Sequence, residues 1–294
     1  MCKKILITGS SGFVGGRVVK AMLQNGYEVY APTHKEMDIT SADSVLQYVD
    51  NIRPERILHL AAISDTGYCE SHPEESYLVN VVGVENLAMA AARYDAKLVF
   101  FSSDQVYNGN HELGLLSEDV PVSPENHYGR HKLIAEQRAL ALSDSTVALR
   151  ATWMYDDQVS GMRTHNNFVL NLKNAIREGK TILFATREFR GITWVEEVVR
   201  NIPYTFDLPG GVYNYGAENT LNTYETALKY AEMLVNNTGV IVADEKRFPE
   251  HIRNISISIN KITEASDGKI NFLTTMQGLA AFEDCLNIKK TIDL

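Results

Sequence analysis

The chain has 294 residues, 45% of them apolar and 22% charged, which suits a globular protein of one large or two modest domains and excludes a disordered or collagenous chain. Its 37 acidic and 28 basic side chains leave a formal charge of −9, the wrong sign for a whole-domain field that holds a nucleic-acid polymer or an anionic membrane. Three widely spaced cysteines argue against a disulfide framework and against zinc on Cys-x-x-Cys pairs, and no run approaches 18 apolar residues, so a cytoplasmic location is expected.

The apolar run Ile5-Leu6-Ile7 predicts a strand over 3–8 that stops at a glycine-rich turn. Apolar residues at 18, 19, 22 and 23 predict a helix over 17–25, closed by Gly26, and residues 28–31 resume as a strand. That completes one βαβ unit. The alternation continues with helices expected at 41–51, 76–94 and 125–141 and strands at 56–60, 98–102 and 147–150. Strands alternating with helices imply an α/β fold with a parallel sheet covered on both faces. After about residue 152 the alternation breaks down. A helix at 193–201 and a strand at 211–215 suggest that the chain returns to its first domain at about 191–216, and a helix-like stretch covers 224–235. Residues 1–151 are expected to form the larger domain, with 152–190 and 217–294 making a smaller, interleaved region.

Gly9-x-x-Gly12-Phe13-Val14-Gly15 follows the first strand and opens the first helix. Glycines there permit a tight turn and close approach of the backbone to a pyrophosphate, while the helix end offers free N–H groups and a positive dipole end. Dinucleotide binding is the expected reading. No carboxylate ends the second strand, where one would accept the ribose hydroxyls of NAD; Thr33, His34 and Lys35 offer a hydroxyl, an imidazole and an ammonium to a 2′-phosphate, although Glu36 follows. NADP is therefore expected, with NAD accepted too. Asp38 and Ile39 could lie beside the adenine; equally, Thr40 could be a helix N-cap with Asp43 in a capping box, leaving Asp38 to solvate the turn.

Tyr128 and Lys132 stand four apart on a predicted helix, hence on one face. A nearby ammonium is expected to lower the phenol's pKa, normally about 10, and make it a competent acid. Ser103 ends an apolar strand at the carboxyl edge of the sheet, where it can bond a substrate carbonyl. His127 and His131 have a chelating spacing but lack the following Glu of the zinc-protease motif, so no metal is expected.

Thr8-Gly9-x-x-Gly12-x-x-Gly15, Ser103 and Tyr128-x-x-x-Lys132 together resemble the extended short-chain dehydrogenase/reductase family. The resemblance implies a Rossmann doubly wound sheet with a smaller substrate domain. It also implies that Ser103 orients a carbonyl, that Tyr128 gives the proton, that Lys132 holds the ribose, and that Ala61, Ala62 and Asn80 fall near the cofactor. Residues 102–107, Tyr128 to Leu133 with Glu136, and 150–155 are most similar to the dTDP-4-dehydrorhamnose reductases of that family. These imply reduction of the 4-keto group of a nucleotide-linked deoxysugar, with Asp104 near the substrate and Trp153 beside the sugar. Arg190 resembles an arginine that in extended family members meets the sugar-nucleotide phosphates, though an ion pair with Glu188 is as open. A homodimer would be compatible. Asp104-Gln105 puts a neutral amide where the related dehydratases carry Glu, which counts against dehydration, and the missing acid after the second strand counts against an epimerase. The regulatory subunit of methionine adenosyltransferase also resembles these reductases, so a non-catalytic subunit is the alternative from a different class.

Overall fold

The computed structural model describes residues 3–157, 163, 164, 166–235 and 238–292. Strand β1 (Lys4–Thr8) leads through the glycine turn into α1 (Phe13–Gln24), β2 (Glu28–Tyr30), α2 (Ala42–Ile52) and β3 (Arg56–His59). Helices α3 (Thr66–Ser71) and α4 (Pro73–Tyr77) continue through a π-type turn (Leu78–Val82) into α5 (Gly83–Tyr94). Then come β4 (Lys97–Ser103), a 3₁₀ turn (Asp104–Tyr107), α6 (His127–Leu142) and β5 (Val147–Ala151).

These strands, with β10 (Gly211–Tyr215), form a parallel six-stranded sheet in the order β10-β5-β4-β3-β1-β2. Side chains alternate across a strand, and the apolar run of β1 divides accordingly. Ile5 and Ile7 join the core under α1, while Leu6 joins the core under α2 and α5, all fully buried. Burial on both faces is why β1 reads as a continuous apolar run. The strand order reverses direction between β1 and β3, and in open α/β sheets ligands bind outside the carboxyl ends of the strands at such a switch point.

The rest of the chain contributes β6 (Trp153–Tyr155), α7 (Phe168–Glu178), β7 (Ile182–Ala185), β8 (Glu188–Arg190), β9 (Ile192–Trp194) and α8 (Val195–Thr205). After β10 follow α9 (Thr223–Leu234), β11 (Ile241–Asp244), β12 (Arg253–Ile255), α10 (Asn260–Ala265) and α11 (Thr275–Ile292). Three parallel pairs, β6 with β9, β7 with β11 and β8 with β12, frame this part. Its core is aromatic, built from Tyr155, Phe168, Tyr230 and Phe282 with Leu172 and Ile192.

Four expectations need adjustment. The first helix begins at Phe13, a turn earlier than the apolar spacing suggested, because Gly15 and Gly16 are weak helix formers that hide a real first turn. The helix expected over 76–94 contains the π-type turn, where Asn80 bonds away from the helix to the chain at Ile63. Ile192–Trp194 is strand rather than helix, and α8 starts at Val195. Within 217–294, Ile262 and Ile270 pack into the core beneath α1 and α8, together with Ile5 and Ile7 of β1. Among the described residues no helix is long and apolar enough to cross a membrane.

Candidate active site

A cleft of about 1300 Å³ opens above the carboxyl ends of β1, β3, β4 and β5. It is lined by Gly9, Gly12, Phe13, Val14 and Gly15 of the glycine turn, by Ala62, by Ser103, Asp104, Tyr128 and Lys132, and by Trp153 and Arg190. Thus twelve of the residues singled out in the sequence border one space.

The glycine turn has the shape a pyrophosphate needs. Gly9 has φ +70°, in the left-handed region, and a Cβ there would overlap the backbone of Ala61 where β3 ends. A Cβ on Gly15 would overlap the Gly9 carbonyl oxygen, so the first turn of α1 can lie this close to β1 only as glycine. Gly12 caps α1 without a side-chain hydrogen bond, and no acid stands in the first turn. No carboxylate of the first turn therefore offsets the positive dipole end of α1 where it borders the cleft.

Beneath the turn, the Thr8 hydroxyl accepts from the Leu60 and Ala61 N–H groups, each at 3.3 Å, and so has only its proton left for His59 Nδ1 at 2.6 Å. His59 must accept there and carry its own proton on Nε2, which is buried with no hydrogen-bond partner among the described residues. Burial first, and the Lys132 charge second, push this imidazole down to about 3. Between about pH 6.5 and that value the unfolded chain takes up a proton that the folded chain refuses, so stability is lost as the pH falls. The loss is about 2 kcal/mol at pH 5. Urea unfolding at pH 7 and pH 5 should show that drop, and the drop should shrink by about this amount in His59→Gln; equal drops in the two proteins would refute the assignment.

Helix α6 delivers the phenol and the amine. Asn126 caps it, its Oδ1 accepting from Gly129 N at 2.7 Å. Gly129 leaves room for the Gln105 carbonyl oxygen, which a Cβ would overlap, so α6 presses onto the 3₁₀ turn after β4. Tyr128 and Lys132 are both buried, 7% and 2% exposed, on that pressed face. The Lys132 ammonium donates to the Phe101 carbonyl at 2.8 Å and lies 5.8 Å from the Tyr128 ring centroid.

The expected lowering of the phenol is not found. Burial raises Tyr128 above its ordinary value against the opposing bond with Ser103, and the Asp104 and Cys69 side chains add to the rise. Burial also brings Lys132 down to about 8, although the Cys69 and Glu136 side chains act in the other direction. Ser103 Oγ is held by Asp104 Oδ1 at 3.2 Å and accepts from Gln105 N at 3.2 Å. Burial raises the Asp104 carboxyl against the opposing pull of Arg190 and Arg253.

At the end of β8, the Arg190 guanidinium lies 4.9 Å from the Trp153 ring centroid and 3.4 Å from Asp104 Oδ2. Its ion-pair partner is therefore Asp104. Glu188 is instead paired with Arg253, which also donates to Gln105 Oε1 and Asn108 Oδ1, each at 2.8 Å.

Other expected residues stand outside the lining of the cleft. Thr33, His34 and Lys35 are exposed. The Thr33 N–H and hydroxyl both donate to Glu36 Oε2, at 2.7 and 2.8 Å, so the chain's own carboxylate occupies donors expected for a 2′-phosphate. Asp38 accepts from the Thr40 N–H and hydroxyl, and Ser41 rather than Thr40 is the cap of α2. Ile39 is in the core. Ala61 lies under the glycine turn, and Asn80, fully buried, accepts from Ile63 N at 3.0 Å and donates to Ile63 O at 2.9 Å. Asn80 thus fixes the segment that carries Ala62 to the cleft. His131 is bonded to Ser76 Oγ at 2.9 Å, and His127 Nε2 lies 4.0 Å from Glu70.

Several contributors escaped the sequence reading. Asn126 had a signal, an Asn just before the helix. His59, Arg253, Arg247 and Phe248 had none, since their places in the site depend on contacts with distant parts of the chain.

The parallel sheet, the glycine turn at its switch point and the Tyr-Lys pair above its edge are the architecture of the extended short-chain dehydrogenases/reductases. Residues 3–265 match the family described as RmlD substrate binding domain, and the chain belongs to that family. It is 26% identical to the dTDP-4-dehydrorhamnose reductase of Aggregatibacter actinomycetemcomitans over 89% of this chain and 92% of that protein. The crystal structure of dTDP-4-dehydrorhamnose reductase from Bacillus anthracis in complex with NADP superposes with a TM-score of 0.83 at 25% identity, covering 96% of this chain and 98% of that one. Methionine adenosyltransferase 2 subunit beta of Xenopus tropicalis is 33% identical over 53% of this chain and 48% of its own length.

Proposed function

We propose that the protein reduces the 4-keto group of a nucleotide-linked deoxysugar, as a dTDP-4-dehydrorhamnose reductase does, using NADPH and accepting NADH. The observation that carries this reading is the meeting of the glycine turn, a buried phenol and a buried amine in one cleft that also holds Trp153 and Arg190. A cleft of about 1300 Å³ exceeds the usual range of about 300–1,000 Å³ for a single small ligand, and so has room for a dinucleotide and a sugar nucleotide together.

A bound nicotinamide would supply the hydride. The protein's residues do the rest. The N–H groups after Gly12 hold the pyrophosphate, and Lys132 bonds the ribose. Ser103 donates to the keto oxygen, and Tyr128 gives that oxygen its proton as the carbon becomes a carbinol. A phenol whose pKa is raised stays protonated at neutral pH, which suits a proton donor in the reductive direction. Trp153 packs on the sugar and Arg190 lies toward the phosphates. Gln105 is a neutral amide fixed by Asn126 and Arg253, so no base is placed for dehydration.

The test is oxidation of NADPH, then NADH, across a panel of 4-keto-sugar nucleotides that differ in base and sugar. Turnover on at least one member is expected. No oxidation on any, together with co-purification of a larger partner, would replace this reading with the non-catalytic one.

A further inference from the structure

Helix α6 is joined to its neighbours by a buried run of polar side chains that takes no part in the proposed proton transfer. His131 Nδ1 and Ser76 Oγ of α4 are 2.9 Å apart, and Asn80 Nδ2 donates to the same Ser76 oxygen at 3.2 Å. Asn80 in turn holds the N–H and the carbonyl of Ile63, whose neighbours Ala62 and Ser64 both border the cleft. All three side chains are buried. One run of hydrogen bonds thus crosses four separate pieces of the chain: α6, α4, the π-type turn and the segment after β3.

Polar groups are costly to bury, and a buried network with its bonds satisfied fixes one arrangement of the elements it joins. Here that arrangement includes the helix that carries the phenol and the amine. His131 stands three residues after Tyr128 and immediately before Lys132, so the three occupy neighbouring positions on α6. The Tyr77 ring of α4 meets the His131 imidazole edge-on, with centroids 5.5 Å apart. Asn80 lies in the π-type turn, a departure from the α-helix found frequently at functional sites.

We propose that His131 is a positioning residue for the reduction: its bond to Ser76 keeps α6 in register with the cleft wall at Ile63, and so sets where the Tyr128 hydroxyl and the Lys132 amine stand. The inference rests on the reading above for the reaction. His131 is not among the residues that line the cleft, so it acts through its neighbours on the helix. A misplacement of reacting groups by about 1 Å costs about 10² in rate, and α6 has to hold two such groups at once.

Ser76→Ala and His131→Leu each cut the bond. Each should lower kcat about tenfold to a hundredfold, leave the KM for the keto sugar within about twofold of the parent, and weaken NADPH binding in calorimetry severalfold through Lys132. The double variant should lose little more than either single one, because both remove the same bond. His131→Asn, whose amide reaches the place of Nδ1, should recover most of both losses. Losses that multiply in the double variant, kcat and NADPH affinity within twofold of the parent in Ser76→Ala, or His131→Asn no better than Ser76→Ala would overturn the inference. Those last two comparisons decide it even where His131→Leu does not fold. If the parent turns over no keto sugar, the reductase reading fails, and NADPH affinity alone then decides whether His131 places Lys132.

Discussion

Tyr128→Phe should lower kcat by about 10² to 10⁴, the usual contribution of a positioned general acid, with little change in the affinity for NADPH. The substitution keeps the ring, and with it the packing of a side chain only 7% exposed, while deleting the hydroxyl that bonds to Ser103. It therefore separates proton donation from structure. Steady-state rates on the best keto-sugar nucleotide, with NADPH binding followed by fluorescence, would check it. A variant within a few-fold of the parent in kcat would mean that the proton comes from elsewhere, with Asp104, also buried and with a raised pKa, the next group to examine.

The second large effect concerns stability. Arg150 donates to both carboxylate oxygens of Glu136, at 3.0 and 2.8 Å, and to the Tyr107 hydroxyl at 2.8 Å. Ser102 adds a bond to Glu136 at 2.5 Å. The two ionic side chains are 5% and 2% exposed. Removing one partner strands a buried charge, so Arg150→Met should cost about 3–5 kcal/mol in urea unfolding, whereas the double variant Glu136→Leu/Arg150→Met should recover much of it. A single variant within about 1 kcal/mol of the parent would show that Glu136 finds another partner or a proton. Glu136 lies one turn beyond Lys132 on α6, and this pair clamps the helix to β4 and β5. A loosened clamp should also raise the KM for NADPH, through displacement of Lys132.

How far the sequence reveals the molecule depends on the range of the interaction. The glycine turn and Tyr128-x-x-x-Lys132 are legible because their chemistry is local: a few residues on one turn or one helix face carry it. The sheet is legible because the buried strands are continuous apolar runs, and even the return at 211–215 shows as Gly-Val-Tyr-Asn-Tyr. What fails is what depends on side chains meeting across the chain. The Thr33-His34-Lys35 run looks basic until Glu36 folds back onto Thr33. Spacing shows the phenol and amine on one face of α6, but not that the amine bonds to the Phe101 carbonyl or that burial raises the phenol. Arg150 with Glu136 and Arg253 with Gln105 each join separate elements, and no periodicity records them.

The place of β10 has a consequence for how the protein is made. β5 is buried along its whole length, yet its outer neighbour is supplied only after α7, α8 and the three short strands between them have been synthesised. Until residues 211–215 leave the ribosome, a nascent chain holds Val147–Ala151 as an open, apolar edge, the kind of edge that pairs with other chains. Chains truncated between β5 and β10 should therefore aggregate rather than form a free-standing nucleotide-binding half.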